Sequence, residues 1–171
     1  MQAIFADYDP EFSAVSLDEA FLDLTNFLQA REEMGSRMTA AEAVEEMRTR
    51  IRESTQLTAS AGIAPNGMLA KVCSDRNKPD GQFILENSRE AVMDFMQQLP
   101  IRKISGIGNV TEQMLGALDI TTCQHLWDKR HLLHLLFSEN SYDYFLRVAL
   151  GLGLGSDEVN PQDKTRSKPA N

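Results

Sequence analysis

The stretch that most constrains this chain is Ser16-Leu17-Asp18-Glu19-Ala20-Phe21-Leu22-Asp23. Phe12, Ala14 and Val15 lie ahead of its acidic pair and Phe21, Leu22 and Leu24 behind it, a short-range apolar pattern that suits two half-buried strands meeting near a turn. Asp18 and Glu19 then fall where the strands meet. Neighbouring residues on a strand point to opposite faces, so both carboxylates can reach one ion only if the backbone bends or twists there. A hard divalent cation would justify the bend. Mg²⁺ takes oxygen ligands and is commonly held by one or two carboxylates plus substrate phosphates, which suits phosphoryl or nucleotidyl transfer. The alternative is an exposed, solvated Asp-Glu pair, common on protein surfaces.

With 171 residues and 42% apolar side chains, the chain can form one ordinary domain or two small ones. No apolar run approaches the ~20 residues that span a bilayer, and the N-terminus lacks a basic region followed by an apolar stretch, so a soluble, unexported chain is expected. Cys73 and Cys123 form no Cys-x-x-Cys pattern, which fits a reducing compartment.

Thr25 to Arg37 predicts a short helix and a loop. Thr39-Ala40-Ala41-Glu42 is a capping-box pattern, and Val44, Met47 and Ile51 give the apolar face of the helix it opens. The opposite face, with Glu45, Glu46, Arg48, Arg50 and Arg52, reads as solvated surface. Leu57 to Ala64 reads as a buried strand that ends at Pro65-Asn66-Gly67. Met68, Leu69 and Val72 suggest one or two helical turns bearing Lys71, and Asp75-Arg76-Asn77-Lys78-Pro79-Asp80-Gly81 turns the chain into a strand from Gln82 to Leu85. Asn87-Ser88-Arg89-Glu90 opens a capped helix with Val92, Phe95, Met96 and Leu99 on one face. Everything beyond it reads as short helices, so a domain boundary is placed near residue 87. Residues 156–171, polar and aperiodic with two prolines, read as a linker or disordered tail.

Ile104-Ser105-Gly106-Ile107-Gly108-Asn109-Val110-Thr111 precedes an apolar helix through Met114, Leu115 and Leu118. Glycine, apolar residue, glycine before a helix is the hairpin of a helix-hairpin-helix. Its glycines allow close approach to a phosphate, and the following helix N-terminus supplies amide donors and partial positive charge. A plain helix-connecting turn is the alternative for so short a signal. Arg102 and Lys103 stand just before it. His131 and His134 lie at i and i+3 but have no third ligand at useful spacing. They, the leucines around them, Trp127, Tyr142, Tyr144 and Phe145 read as helical core.

Ser-Leu-Asp-Glu-Ala-Phe-Leu-Asp resembles the palm signature of the Y-family, or translesion, DNA polymerases. Ile4-Phe5-Ala6-Asp7-Tyr8-Asp9-Pro10 and Thr58-Ala59-Ser60-Ala61-Gly62-Ile63-Ala64-Pro65-Asn66 extend the likeness, which runs from about Ile4 to about Gly155 and is interrupted near residues 29 to 40. The resemblance implies an α+β fold. A partial palm of antiparallel strands with helices (residues 1–86) would be followed by a small all-α thumb with a helix-hairpin-helix (residues 87–155). It implies template-directed DNA synthesis in translesion repair, with primer-template DNA and deoxynucleoside triphosphates as partners and two Mg²⁺ ions, or Mn²⁺ in their place. It also implies a nuclear location; with no membrane-spanning run no membrane partner is expected, and the sequence does not identify a protein partner.

Asp18 and Glu19 match two of the family's three metal-binding carboxylates. Lys78 matches the lysine that meets the incoming triphosphate, and Lys71 a supporting lysine near nucleotide or primer. Arg102, Lys103, Gly106, Ile107, Gly108, Asn109 and Thr111 match the DNA-binding hairpin. The third carboxylate, from an Asp-x-Asp segment, has no counterpart before Ile4, the fingers and little finger have none at all, and Phe21 stands where the family usually has Tyr. The 171 residues are therefore expected to be inactive by themselves. The alternative is a non-catalytic DNA-binding fragment acting through the hairpin.

A net charge of −8 runs against phosphate binding, but it is uneven. Residues 1–60 hold 12 acidic and 5 basic side chains, whereas residues 61–171 hold 13 and 12. A metal-binding palm accounts for part of that N-terminal excess.

Overall fold

The computed structural model describes residues 1–153. The expected tail at residues 156–171 lies outside them. The described chain packs as two compact units, one of Met1–Ser60 with Pro79–Gly81 and one built from Ala61–Lys78 and residues 82–153.

In the first unit, helix α1 (Gln2–Ala6) leads into a hairpin of strands β1 (Ser13–Ala14) and β2 (Ala20–Phe21), followed by helices α2 (Thr25–Glu33) and α3 (Ala40–Thr55). The strands are antiparallel, with Ser13 opposite Phe21 and Ala14 opposite Ala20. The capping box forms as its sequence predicts: Glu42 N donates to Thr39 Oγ1 at 3.2 Å and Thr39 N donates to Glu42 Oε2 at 2.8 Å. Met47 and Ile51 of α3 bury their apolar surface with Tyr8, while Ile4, Phe5, Leu22 and Phe27 close over them. Each such aliphatic side chain contributes about 1.5–3 kcal/mol when fully buried.

Arg48 corrects the expectation of a solvated polar face, because it is only 6% exposed. Its Nε donates to the Ala59 carbonyl at 2.8 Å and its Nη2 reaches Asp80 Oδ1 at 2.8 Å, so hydrogen bonds and a counter-charge compensate its burial. Arg52 also binds the Asp80 carboxylate.

In the second unit, strand β3 (Ala61–Ile63), helix α4 (Gly67–Ser74) and strand β4 (Gln82–Ile84) form a crossover that brings β4 parallel to β3, with Gly62 opposite Phe83. The small β elements are thus one antiparallel and one parallel pair, the second because a helix carries the chain back across the sheet. Helices α5 (Arg89–Gln97), α6 (Asn109–Gly116), α7 (Cys123–Asp128), α8 (Arg130–Leu136) and α9 (Glu139–Ala149) complete the unit. Ser88 caps α5, and Leu69, Met96, Ile107, Leu115, Leu126 and Leu133 are fully buried in one core. The expected helical core fails in part. Leu135 and Leu136 are exposed at the end of α8, and Trp127 is 37% exposed with the Arg130 guanidinium over its ring. Among the described residues no helix is long and apolar enough to cross a membrane.

Candidate functional site

The acidic pair sits on the loop between β1 and β2. Asp9 fixes that hairpin from outside: its two carboxylate oxygens accept from Glu11 N and from Asp23 N, each at 2.9 Å, pinning the entry and exit of the hairpin. The amides of Val15 and Ser16 both donate to the Glu19 carbonyl, and Ser16 Oγ donates to Asp18 Oδ1 at 2.7 Å. Asp18 and Glu19 therefore lie in a bend ahead of β2 and are exposed, rather than alternating along a strand. Two exposed carboxylates are hard oxygen donors of the kind a divalent cation takes. Among the described residues, however, no group of three or more His, Cys, Asp or Glu side chains is placed to hold one. The donors fit such an ion in kind and fall short in number of a two-ion site.

In the second unit, Asn66 starts α4 by accepting from Leu69 N at 3.0 Å and ties it to the turn after Ala149 through its Nδ2, 2.8 Å from the Gly151 carbonyl. Lys71 lies on this helix. Asp75 caps its C-terminal end and accepts an ion pair from Lys78 Nζ at 2.6 Å. The hydrogen bond from Lys78 holds the Asp75 carboxyl below the usual carboxylate range, with further attraction from Lys78, Lys103 and Lys71. Sequence reading passed over Asp75, although its i, i+3 spacing to Lys78 was a signal.

The hairpin follows a 3₁₀ turn at Ile101–Lys103. Gly106 adopts φ +96°, a conformation only glycine takes readily, and Gly108 begins α6 with no side chain capping it. As at any helix N-terminus, the first-turn amides of α6 have no acceptor within the helix, and its first turn also carries the Glu112 carboxylate. Arg102 braces this turn from within: its Nη1 donates to the Ile107 carbonyl at 2.7 Å and its Nε pairs with Glu112 Oε2 at 3.3 Å. Tyr144 of α9 donates its hydroxyl to the Ser105 carbonyl at 2.8 Å, a role no local sequence signal announces. Lys71, Asp75 and Arg102 to Gly108 line a cleft of about 440 Å³. The structure thus gathers Lys71, Lys78, Lys103 and the hairpin in one unit, while Asp18 and Glu19 belong to the other. His131 and His134 hold no metal cluster among the described residues, and His134 packs edge-on against Tyr142.

Residues 1–75 match the impB/mucB/samB family and residues 89–120 match the IMS family HHH motif. The acidic hairpin falls in the first match and the glycine-turned hairpin in the second. The chain belongs to the Y-family DNA polymerases, with the α+β palm and helix-hairpin-helix thumb that its sequence led one to expect. Among individual proteins it is similar to DNA polymerase kappa of Arabidopsis thaliana, at 52% identity over 88% of this chain and 22% of that one. It is also similar to DNA polymerase kappa of Mus musculus, at 42% identity over 90% of this chain and 26% of that one. The insertion ternary complex of Dbh DNA polymerase superposes with a TM-score of 0.74 at 28% identity, covering 88% of this chain and 42% of that one. The chain spans about a quarter of the length of these kappa relatives.

Proposed function

We propose that this chain supplies part of the palm (residues 1–86) and the thumb (residues 87–155) of a translesion DNA polymerase acting in the nucleus on primer-template DNA and deoxynucleoside triphosphates. In that family a pair of Mg²⁺ ions activates the primer hydroxyl and stabilises the leaving pyrophosphate. In this chain Asp18 and Glu19 would supply two oxygen ligands to them. Lys78, aided by Lys71, would neutralise triphosphate charge. Lys103 and the amides of Gly108, Asn109 and Thr111 would hold a DNA phosphate, with Arg102 keeping their turn in shape. The observation that carries this reading is the joint presence of an exposed Asp-Glu hairpin and an uncapped, glycine-turned helix N-terminus in segments matching the two family regions.

A second reading, DNA binding without catalysis, is favoured by the difference in completeness. The hairpin has its turn and its brace, whereas among the described residues no group of three metal-binding side chains forms around the acidic pair. Fluorescence anisotropy of labelled primer-template with the purified chain, with and without Mg²⁺ and matched nucleotide across a salt series, separates the two. Affinity strengthened by Mg²⁺ and the templated nucleotide, and no longer strengthened after Asp18→Ala, supports the enzyme reading. Affinity that falls with salt but ignores nucleotide and Asp18→Ala leaves the DNA-binding fragment. No salt-dependent binding at all would overturn both.

A further inference from the structure

Two carbonyls of the glycine turn are held by side chains. The Tyr144 hydroxyl, on α9, donates to the Ser105 carbonyl at 2.8 Å, and Arg102 Nη1 donates to the Ile107 carbonyl at 2.7 Å. Each carbonyl shares a planar trans peptide with the amide of the following glycine, so the C=O and the N–H point in opposite directions. Fixing the Ser105 carbonyl on Tyr144 therefore turns the Gly106 amide away from the tyrosine, and fixing the Ile107 carbonyl on Arg102 turns the Gly108 amide away from the guanidinium. Neither glycine amide donates to an acceptor among the described residues. Both glycines line the cleft of about 440 Å³, together with Arg102 and Lys103.

The backbone at Gly106 does not settle this orientation by itself. Gly106 stands at φ +96°, and glycine takes positive and negative φ about equally readily, so the Ser105–Gly106 peptide can rotate and exchange its carbonyl for its amide at little cost. The hydrogen bond from Tyr144 removes that freedom. The hydroxyl is itself held in place, because the Tyr144 ring packs against the core of the unit and lies 5.5 Å from the Phe145 ring, on a helix that buries Phe145, Val148 and Ala149. Tyr144 is not part of the cleft lining, so its effect on a ligand there passes through the turn.

We infer that Tyr144 is a positioning residue of the hairpin: by holding the Ser105 carbonyl it selects the peptide orientation that presents the Gly106 amide to a DNA phosphate. The inference rests on the proposed phosphate-binding role of the hairpin and deepens it by naming a residue of α9 on which that role depends. A peptide turned the other way presents a carbonyl oxygen to the anion, so the apparent affinity scales with the fraction of chains correctly turned.

The test uses the 171-residue chain and a short, labelled blunt DNA duplex. Binding is followed by anisotropy across a salt series, at a temperature where thermal melts show every variant folded. Tyr144→Phe removes the hydroxyl and keeps the ring. It is expected to weaken binding about two- to tenfold at every salt concentration, the scale of one net hydrogen bond. Its salt slope should equal that of the native chain, because no cation is lost, whereas Lys103→Ala should lower the slope by about 0.9. The Gly106 amide proton resonance of the native chain should move downfield as duplex is added, the mark of a donor gaining an acceptor. If Tyr144→Phe binds like the native chain while Lys103→Ala binds more weakly, the positioning role is overturned and the phosphate-binding hairpin stands. A weakening that comes with a lower salt slope, or a Gly106 resonance that ignores the duplex, overturns that role as well. If neither variant differs from the native chain, or the native chain shows no salt-dependent binding, the hairpin reading fails and takes the inference with it.

Discussion

The Tyr144 hydroxyl donates to the Ser105 carbonyl at 2.8 Å and stands where a Cβ on Gly106 would come within 2.9 Å of it. Gly106 is therefore constrained twice, by its φ of +96° and by a side chain from α9. Gly106→Ala is expected to destabilise the chain by about 2–3 kcal/mol, combining backbone strain with displacement of the hydroxyl. In a Tyr144→Phe background the same substitution should cost about 1 kcal/mol less, because the colliding atom is gone. A double-mutant cycle by urea denaturation measures this coupling. Equal costs in both backgrounds would assign the whole effect to the backbone.

Gly62 tests how closely α4 lies on β3. A Cβ there would stand 2.0 Å from the Ala70 carbonyl oxygen and 2.4 Å from Ser74 N, both backbone atoms that no rotamer change can move. Gly62→Ala should cost about 3 kcal/mol or more, since the helix itself must shift. Gly116, at the end of α6, has nothing within 4 Å of a built Cβ. Gly116→Ala should stabilise by about 0.5–1 kcal/mol through reduced chain entropy. Paired thermal melts check both signs.

These contrasts show which parts of the structure local sequence carries. The capping box at Thr39, the Ser88 cap and the Gly106-Ile107-Gly108 turn are decided within four or five residues, and each forms where its residues predict. Arg48 does not yield to such reading. Its burial depends on the Ala59 carbonyl and on Asp80, 32 residues away, and helical periodicity alone assigns it to solvent. The parallel pairing of β3 with β4 is likewise a product of the crossover, and the exposure of Leu135 and Leu136 of where α8 ends. At the candidate site the glycine turn was legible as a local motif, but the brace that Tyr144 places on it was not, because that contact joins residues 39 apart in sequence.

Primer extension gives the next expectation. With two exposed carboxylates and no cluster of three among the described residues, Mg²⁺ lacks a full set of ligands. The purified 171-residue chain should give no template-directed extension on a matched primer-template with Mg²⁺ and all four nucleotides, while still binding the duplex. Bands longer than the primer on a denaturing gel, lost in Asp18→Ala, would show that the pair suffices.

Acid stability follows from the Arg48 and Arg52 clamp on Asp80. The hydrogen bond from Arg52 and the attraction of both guanidinium groups hold the Asp80 carboxyl below its ordinary range. A carboxyl depressed in the folded state binds its proton less readily there than in the unfolded chain. Its stabilisation is fully present above the unfolded aspartate value of about 3.9 and is lost as pH falls through the lower folded value. Asp23, held down by Thr25, and Glu42, held down by the Thr39 amide, act with the same sign. The melting temperature should therefore be nearly flat from pH 7 to about 5 and decline below about 4. Asp80→Asn should lower it at neutral pH and make the acid decline shallower, because one of the depressed groups no longer titrates. Melts of both chains between pH 7 and pH 2.5 decide the matter: parallel curves would mean that the clamp contributes nothing to the acid limb.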